Sequence, residues 1–141
     1  MTEETNELFW RTRNDSSTLA QPRVFIRVFL EPGRLDAAIA FYERLTGTPA
    51  DGRFSFQTLR LAMVGSFLLI EGSAEDLTPF RPTTGTLLVD DVRPYHDRLL
   101  AAGAEIFQPL QPVPTGAGFS ARHPDGTRVE YVHHRPRPDG R

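Results

Sequence analysis

Between residues 23 and 30 the chain alternates strictly, which is the period of a strand. Val24, Ile26 and Val28 share one face, and Arg23, Phe25, Arg27 and Phe29 share the other. The aliphatic face suits a position under a helix, whereas the mixed Arg/Phe face suits the lining of a cavity. After Pro32-Gly33 the period changes: Leu35, Ile39, Tyr42 and Leu45 recur at helical spacing, and Gly47 supplies a left-handed stop. Short apolar runs at 54–56, 58–63 and 67–71 then read as strands, with Gly52 and Gly65 at the turns.

The same order then repeats. Residues 84–89 form an apolar run, and Asp91 is placed to cap a helix with Pro94 in its first turn. Val92, Tyr95 and Leu99 make that helix's buried stripe before Gly103. Residues 104–110 read as a strand, the proline-spaced stretch from Gln111 to Gly118 as a long loop, and 119–122 as a strand. The sequence HPDG then turns the chain into a last strand over 127–133. Each copy is strand, helix and about three strands, and a repeated unit of this kind buries its apolar face by stacking on its neighbour. The division expected is an arm over residues 1–21, module one over 22–72, a linker over 73–82 containing Pro79 and Pro82, module two over 83–134, and a tail over 135–141. In the arm, Leu8, Phe9 and Trp10 form an apolar knot suited to packing on the domain or on a second subunit. The tail is too rich in proline and charge to fold.

Composition narrows the chemistry. The 141 residues suit one compact domain. With no cysteine there is no disulfide, thiol nucleophile or thiolate metal ligand. All 16 basic residues are arginine, so Schiff-base chemistry and a lysine base are both excluded. The net charge of -2 gives no bulk attraction to nucleic acid or anionic lipid. No apolar run approaches membrane-spanning length, so the expectation is a cytoplasmic protein with no nucleic-acid or membrane partner. Ser120 and His123 lack the spacing of a nucleophile and its base, and the Gly-rich TGAG lacks the Lys that follows a phosphate loop.

The segments AAIAFYERLTG, LLVDDV, RLLAAGAEIF and GFSARHPDGTRVEYV together resemble the vicinal oxygen chelate superfamily, which includes glyoxalase I, extradiol dioxygenases, fosfomycin-modifying enzymes and bleomycin-resistance proteins. The likeness spans roughly residues 23–134. It implies an α+β fold, two βαβββ modules whose curled mixed sheets enclose a cleft, often with a second subunit completing it; a homodimer is the expectation here. In metal-using members His, Gln or Glu ligands lie near the start of each module's first strand and on each module's last strand. Carried across, those positions fall at Arg23, Thr84, Leu69 and Glu130, of which only Glu130 is a ligand type. An arginine there puts fixed positive charge where a cation would sit. Arg23 or Arg27 is therefore expected to pair with Glu130 and fill the site, leaving it without metal or cofactor. A one-residue slip would bring Glu71 into consideration but no histidine onto the first strand, and the alternative is a metal site from His133 or His134 with Glu130. His96 reads as a half-exposed helix residue and His123 as a turn residue. His133 and His134 point to opposite faces at the rim, so at most one of them enters the cleft.

On these faces the cleft is lined by Arg23, Phe25, Arg27, Phe29, Phe67, Leu69, Thr84, Thr86, Leu88, Arg128 and Glu130. That is an aromatic and aliphatic wall with a few polar anchors, the make-up of a small-molecule pocket. The alternative is that the phenylalanines pack on one another and leave no space. The expected function is a metal-free binder of an apolar or aromatic natural product, of the bleomycin-resistance type. The alternative is an isomerase, lyase or dioxygenase-like enzyme with Glu130 as base or metal ligand, and a third is a ligand-free dimer or regulatory module.

Overall fold

In the computed structural model, which describes residues 15–135, the alternating first segment is strand β1 (Arg23–Leu30). Helix α1 (Leu35–Thr46) follows, closed by Gly47 at φ 72°. Three antiparallel-linked strands come next: β2 (Gly52–Phe56), β3 (Leu59–Val64) and β4 (Phe67–Glu71). A short helix α2 (Ala74–Leu77) and a 3-10 turn over Thr78–Phe80 lead to β5 (Gly85–Leu88) and helix α3 (Val92–Ala101). The last described elements are β6 (Glu105–Val113), β7 (Gly116–Arg122) and β8 (Arg128–His134).

All eight strands join in one sheet, in the order β2-β3-β4-β1-β5-β8-β7-β6. Each module carries its own first strand at the centre, and the second half of the order mirrors the first. The modules meet at an antiparallel seam of four pairs, from Arg23 opposite Leu88 to Ile26 opposite Gly85. Each first strand runs parallel to the last strand of its own module, β1 with β4 and β5 with β8.

One side of the sheet carries a core of Phe25, Leu59, Leu61, Met63, Leu68, Ile70, Leu88 and Val132. The other side is divided between the helices. Leu35, Ala62, Val64 and Leu69 pack under α1 with Val28, Tyr42 and Phe67, and Val89, Val92, Phe119, Ala121 and Tyr131 pack under α3 with Tyr95 and Leu99.

Three sequence expectations change in the folded chain. Only part of the aliphatic face of β1 lies under a helix: Val28 does, but Val24 and Ile26 are 56% and 55% exposed. Helix α1 returns over β3 and β4 and α3 over β6 to β8, so the outer face of the central seam stays bare. The proline-spaced stretch 111–118 is not a long loop: 111–113 continue β6, 114–115 form a two-residue turn, and 116–118 begin β7. Pro109 and Pro112 are accommodated because β6 is an edge strand whose register with β7 shifts twice, so a missing N–H breaks no ladder on the outer side. Residues 15–21, polar enough to read as arm, are tied to the domain. Ser16 is buried, its N–H donates to the His134 carbonyl at 3.1 Å, and its hydroxyl donates to the Val89 carbonyl at 2.7 Å. The Leu8-Phe9-Trp10 knot and residues 136–141 lie outside the described residues. No helix among those described is long and apolar enough to cross a membrane.

Candidate functional site

The polar centre of the concave face is built by three strands. Strand pairing puts Phe25 opposite Thr86 and Thr86 opposite Glu130, and Arg27 lies two residues along β1 on the same face. Nη2 of Arg27 donates to Oε1 of Glu130 at 2.9 Å, Nε donates to Oγ1 of Thr86 at 3.1 Å, and Nη1 donates to the Phe80 carbonyl at 3.1 Å. The Thr86 hydroxyl in turn donates to the same Oε1 at 2.9 Å. The arginine side chain is only 6% exposed, and Glu130 is 30% exposed. Two charges are thereby neutralised and hydrogen-bonded inside an apolar surround, the condition under which a buried ion pair is tolerated.

Glu130 separates two adjoining hollows and borders both, together with Phe56 and Val113. The first is walled by Phe25, Phe54, Phe56, Leu61, Met63, Leu68, Val113, Pro114 and Val132, with Thr86, Thr115, Glu130 and His134 as its polar members. The second is more polar and is bounded by Arg27, Phe80, Phe107, Gln108, Gln111 and Ser120 among others. Aromatic walls with few convergent polar groups are what a small-molecule site offers.

Of the residues expected in the cleft, Phe25, Arg27, Thr86, Leu88 and Glu130 come together on the concave face. Phe29 packs beside that core and receives the Arg81 guanidinium at 4.9 Å from its ring. Arg128 lies over the Phe107 ring at 5.0 Å, bordering neither hollow. Arg23 lies over the Phe25 ring at 4.6 Å, but its guanidinium pairs with Asp51 at 2.6 Å and donates to the Gly65 carbonyl at 2.5 Å, so Arg27 rather than Arg23 meets Glu130. Thr84 is exposed beside Val24, Ile26, Leu87 and Val129 on the convex side. Phe67 and Leu69 pack under α1, and their neighbours Leu68 and Ile70 face the cleft. Strand 67–71 is apolar in four consecutive positions, so no alternation in the sequence marks which parity faces inward. Glu71 shares the helix side, where its Oε2 accepts the N–H groups of Gly33 and Leu35 at 3.0 and 2.9 Å.

The histidines sort by the same parity. His134 is 3% exposed and borders the first hollow, deeper than a rim position. Burial is the main cause that pushes its pKa down to about 4, aided by the Arg23 charge, so the ring is neutral near pH 7. His133 faces α3, and its Nδ1 accepts the Val92 N–H at 3.0 Å; burial again lowers its pKa. The His123 ring lies 2.7 Å from the Tyr131 hydroxyl, and the His96 ring meets Phe119 edge-on. Phe54, Phe56 and Met63 are not legible as lining residues, their one sequence signal being apolar character in short strands; of the His133–His134 pair, His134 is the member that borders the cleft.

A family-model match to the Glyoxalase/Bleomycin resistance protein/Dioxygenase superfamily spans residues 26–131. The chain belongs to this superfamily. No curated protein matches it. Among solved structures, an uncharacterized protein from Methanosarcina mazei is 40% identical with a TM-score of 0.73, covering 79% of this chain and 91% of its own. Methylmalonyl-CoA epimerase from Mycobacterium tuberculosis is 19% identical at TM-score 0.56, covering 86% of this chain and 95% of its own. A mutant of 4-hydroxymandelate synthase from Streptomyces coelicolor is 18% identical at TM-score 0.54, covering 83% of this chain and 50% of its own. At these last identities the likeness is one of fold, and fold alone does not carry activity.

The strands that carry metal ligands in metal-using members present Arg27, Leu68, Thr86 and Glu130 to one another here. This donor set does not fit a divalent ion: one carboxylate is present, a hydrocarbon stands at a second position, and a guanidinium occupies a third and already bonds the carboxylate. Among the described residues no group of three or more His, Asp or Glu side chains is placed to hold a metal.

Proposed function

We propose that this superfamily member is a metal-free small-molecule-binding protein, its cleft taking an apolar or aromatic compound. The Arg27–Glu130 contact carries the reading, because a fixed positive charge bonded to the carboxylate repels a cation from that position and neutralises the ligand it would need. The aromatic hollow beside that contact supports the ligand class. Untagged protein titrated with Ni, Mn, Fe and Zn in a calorimeter tests the proposal. The expected result is no stoichiometric uptake. Uptake at one ion per chain that disappears in Glu130→Gln would overturn it and establish an oxygen-chelate site.

A second reading, an enzyme in which Glu130 moves a proton, is favoured by one observation: the carboxylate borders both hollows and so can reach a bound molecule. It predicts that Glu130→Gln abolishes turnover while leaving affinity for the same compound unchanged. The binding reading predicts no turnover in either protein.

A further inference from the structure

The hydrogen bonds around Glu130 define what kind of ligand the cleft can anchor, a deepening of the binding reading on which it rests. Arg27 is the charged donor of this site, and each of its three guanidinium nitrogens already has a protein acceptor: Thr86, the Phe80 carbonyl and Glu130. Three of its five N–H groups are thereby engaged, and with its side chain only 6% exposed the guanidinium is largely closed to a second, bidentate carboxylate. The Thr86 hydroxyl is committed both ways, accepting from Arg27 and donating to Glu130.

Both donors converge on one carboxylate oxygen, Oε1. The other, Oε2, receives no hydrogen bond among the described residues, although an ionised carboxylate accepts at both oxygens. It belongs to a side chain still 30% exposed that borders both hollows. No arginine lines the first hollow, and Arg23, which lies over the Phe25 ring at 4.6 Å, is paired with Asp51. The hollow's remaining ionisable member is His134, which burial keeps uncharged near neutrality. An acceptor with spare capacity thus stands at the edge of a chamber walled by Phe25, Phe54 and Phe56.

We propose that the cleft takes a planar apolar ligand bearing a hydrogen-bond donor, an amine or a hydroxyl, presented to Oε2 of Glu130, and that it discriminates against the matching carboxylate. An anion placed there would face Glu130 while the nearby guanidinium groups, Arg27 and Arg23, are already paired with Glu130 and Asp51, whereas a donor completes the carboxylate's hydrogen bonding.

Four naphthalenes of nearly equal size test this: 2-naphthylmethylamine, naphthalene-2-methanol, 2-methylnaphthalene and 2-naphthoate, each titrated into the full-length protein at pH 7.5. A hydrogen bond to a charged group is expected to make the amine and the alcohol about 10- to 100-fold tighter than 2-methylnaphthalene. Naphthoate is expected to be the weakest. In Glu130→Gln the advantage of the amine over the alcohol should shrink, and the wild-type ranking decides the matter even if that variant does not fold. Equal affinities for all four would leave a binding cleft but refute the donor anchor. Tightest binding by naphthoate would refute it too, showing a cationic anchor. Absence of binding by all four would remove the aromatic-binding reading itself and this inference with it.

Discussion

At the scale of single residues, burial decides the protonation of the two terminal histidines, and so ties stability to pH. His134 has its pKa pushed down to about 4 by desolvation, against 6.5 for an exposed imidazole. The unfolded chain therefore takes up a proton between these values that the folded chain refuses. Stability is complete above pH 6.5 and falls as the pH drops toward 4. For this residue alone the loss between pH 7.5 and pH 5 is about 2 kcal/mol. His133 acts in the same direction, because its Nδ1 must stay unprotonated to accept from Val92. Urea denaturation at the two pH values checks this. His134→Leu should flatten most of the dependence, and an unchanged slope in that variant would mean that His134 is not its source. Position 134 was visible in the sequence as one of an adjacent pair on opposite faces. Its burial was not, because the Ser16 segment that packs against the end of β8 lies 118 residues away.

At the scale of elements, the two helices are started by different means. Helix α3 has the local cap that its sequence announces, with the Arg93 N–H donating to Oδ1 of Asp91 at 3.0 Å. Helix α1 has Arg34 at its N-cap position with no side-chain hydrogen bond. Its exposed backbone donors are met instead by Glu71 from the end of β4, a buried carboxylate placed at the positive end of the helix dipole. Glu71→Leu leaves the N–H groups of Gly33 and Leu35 without an acceptor and should cost about 2–4 kcal/mol. Glu71→Gln, which keeps one amide oxygen, should cost roughly half as much. Denaturation midpoints of the two variants measure this, and equal losses would point to charge rather than hydrogen bonding. The cap could not be found by scanning for helix signals, since the residues it joins are 36 apart in sequence.

At the scale of the whole molecule, the cleft belongs to neither module alone. Arg27 comes from the first and Glu130 from the second, 103 residues later, and they meet only because β1 and β5 pair at the seam. Phe25 sits in that seam opposite Thr86, is 1% exposed, and joins the concave core contributed by both modules. Phe25→Ala should therefore cost about 3–5 kcal/mol, the range for deleting a buried aromatic ring. The loss should appear as one cooperative transition moved as a unit rather than as two. Thermal unfolding followed by near-UV and far-UV circular dichroism checks it. Separate transitions would mean that the modules are stabilised independently.

The sequence by itself determined the repeated strand–helix–strand order, the helix stops at Gly47 and Gly103, and the side of β1 that faces inward, because each rests on local periodicity or local backbone freedom. It also excluded thiol and lysine chemistry, and its resemblance to the superfamily, carried across position by position, singled out Glu130 as the lone carboxylate among the expected ligand positions. Tertiary structure alone decided the inward parity of β4, the choice of Arg27 over Arg23 as the partner of Glu130, the burial of His134 and the bare outer face of the seam. Each of these depends on strand register or on which segment covers which face. Register is set by pairing between residues far apart in the chain, and a shift of one residue exchanges the two faces of a strand.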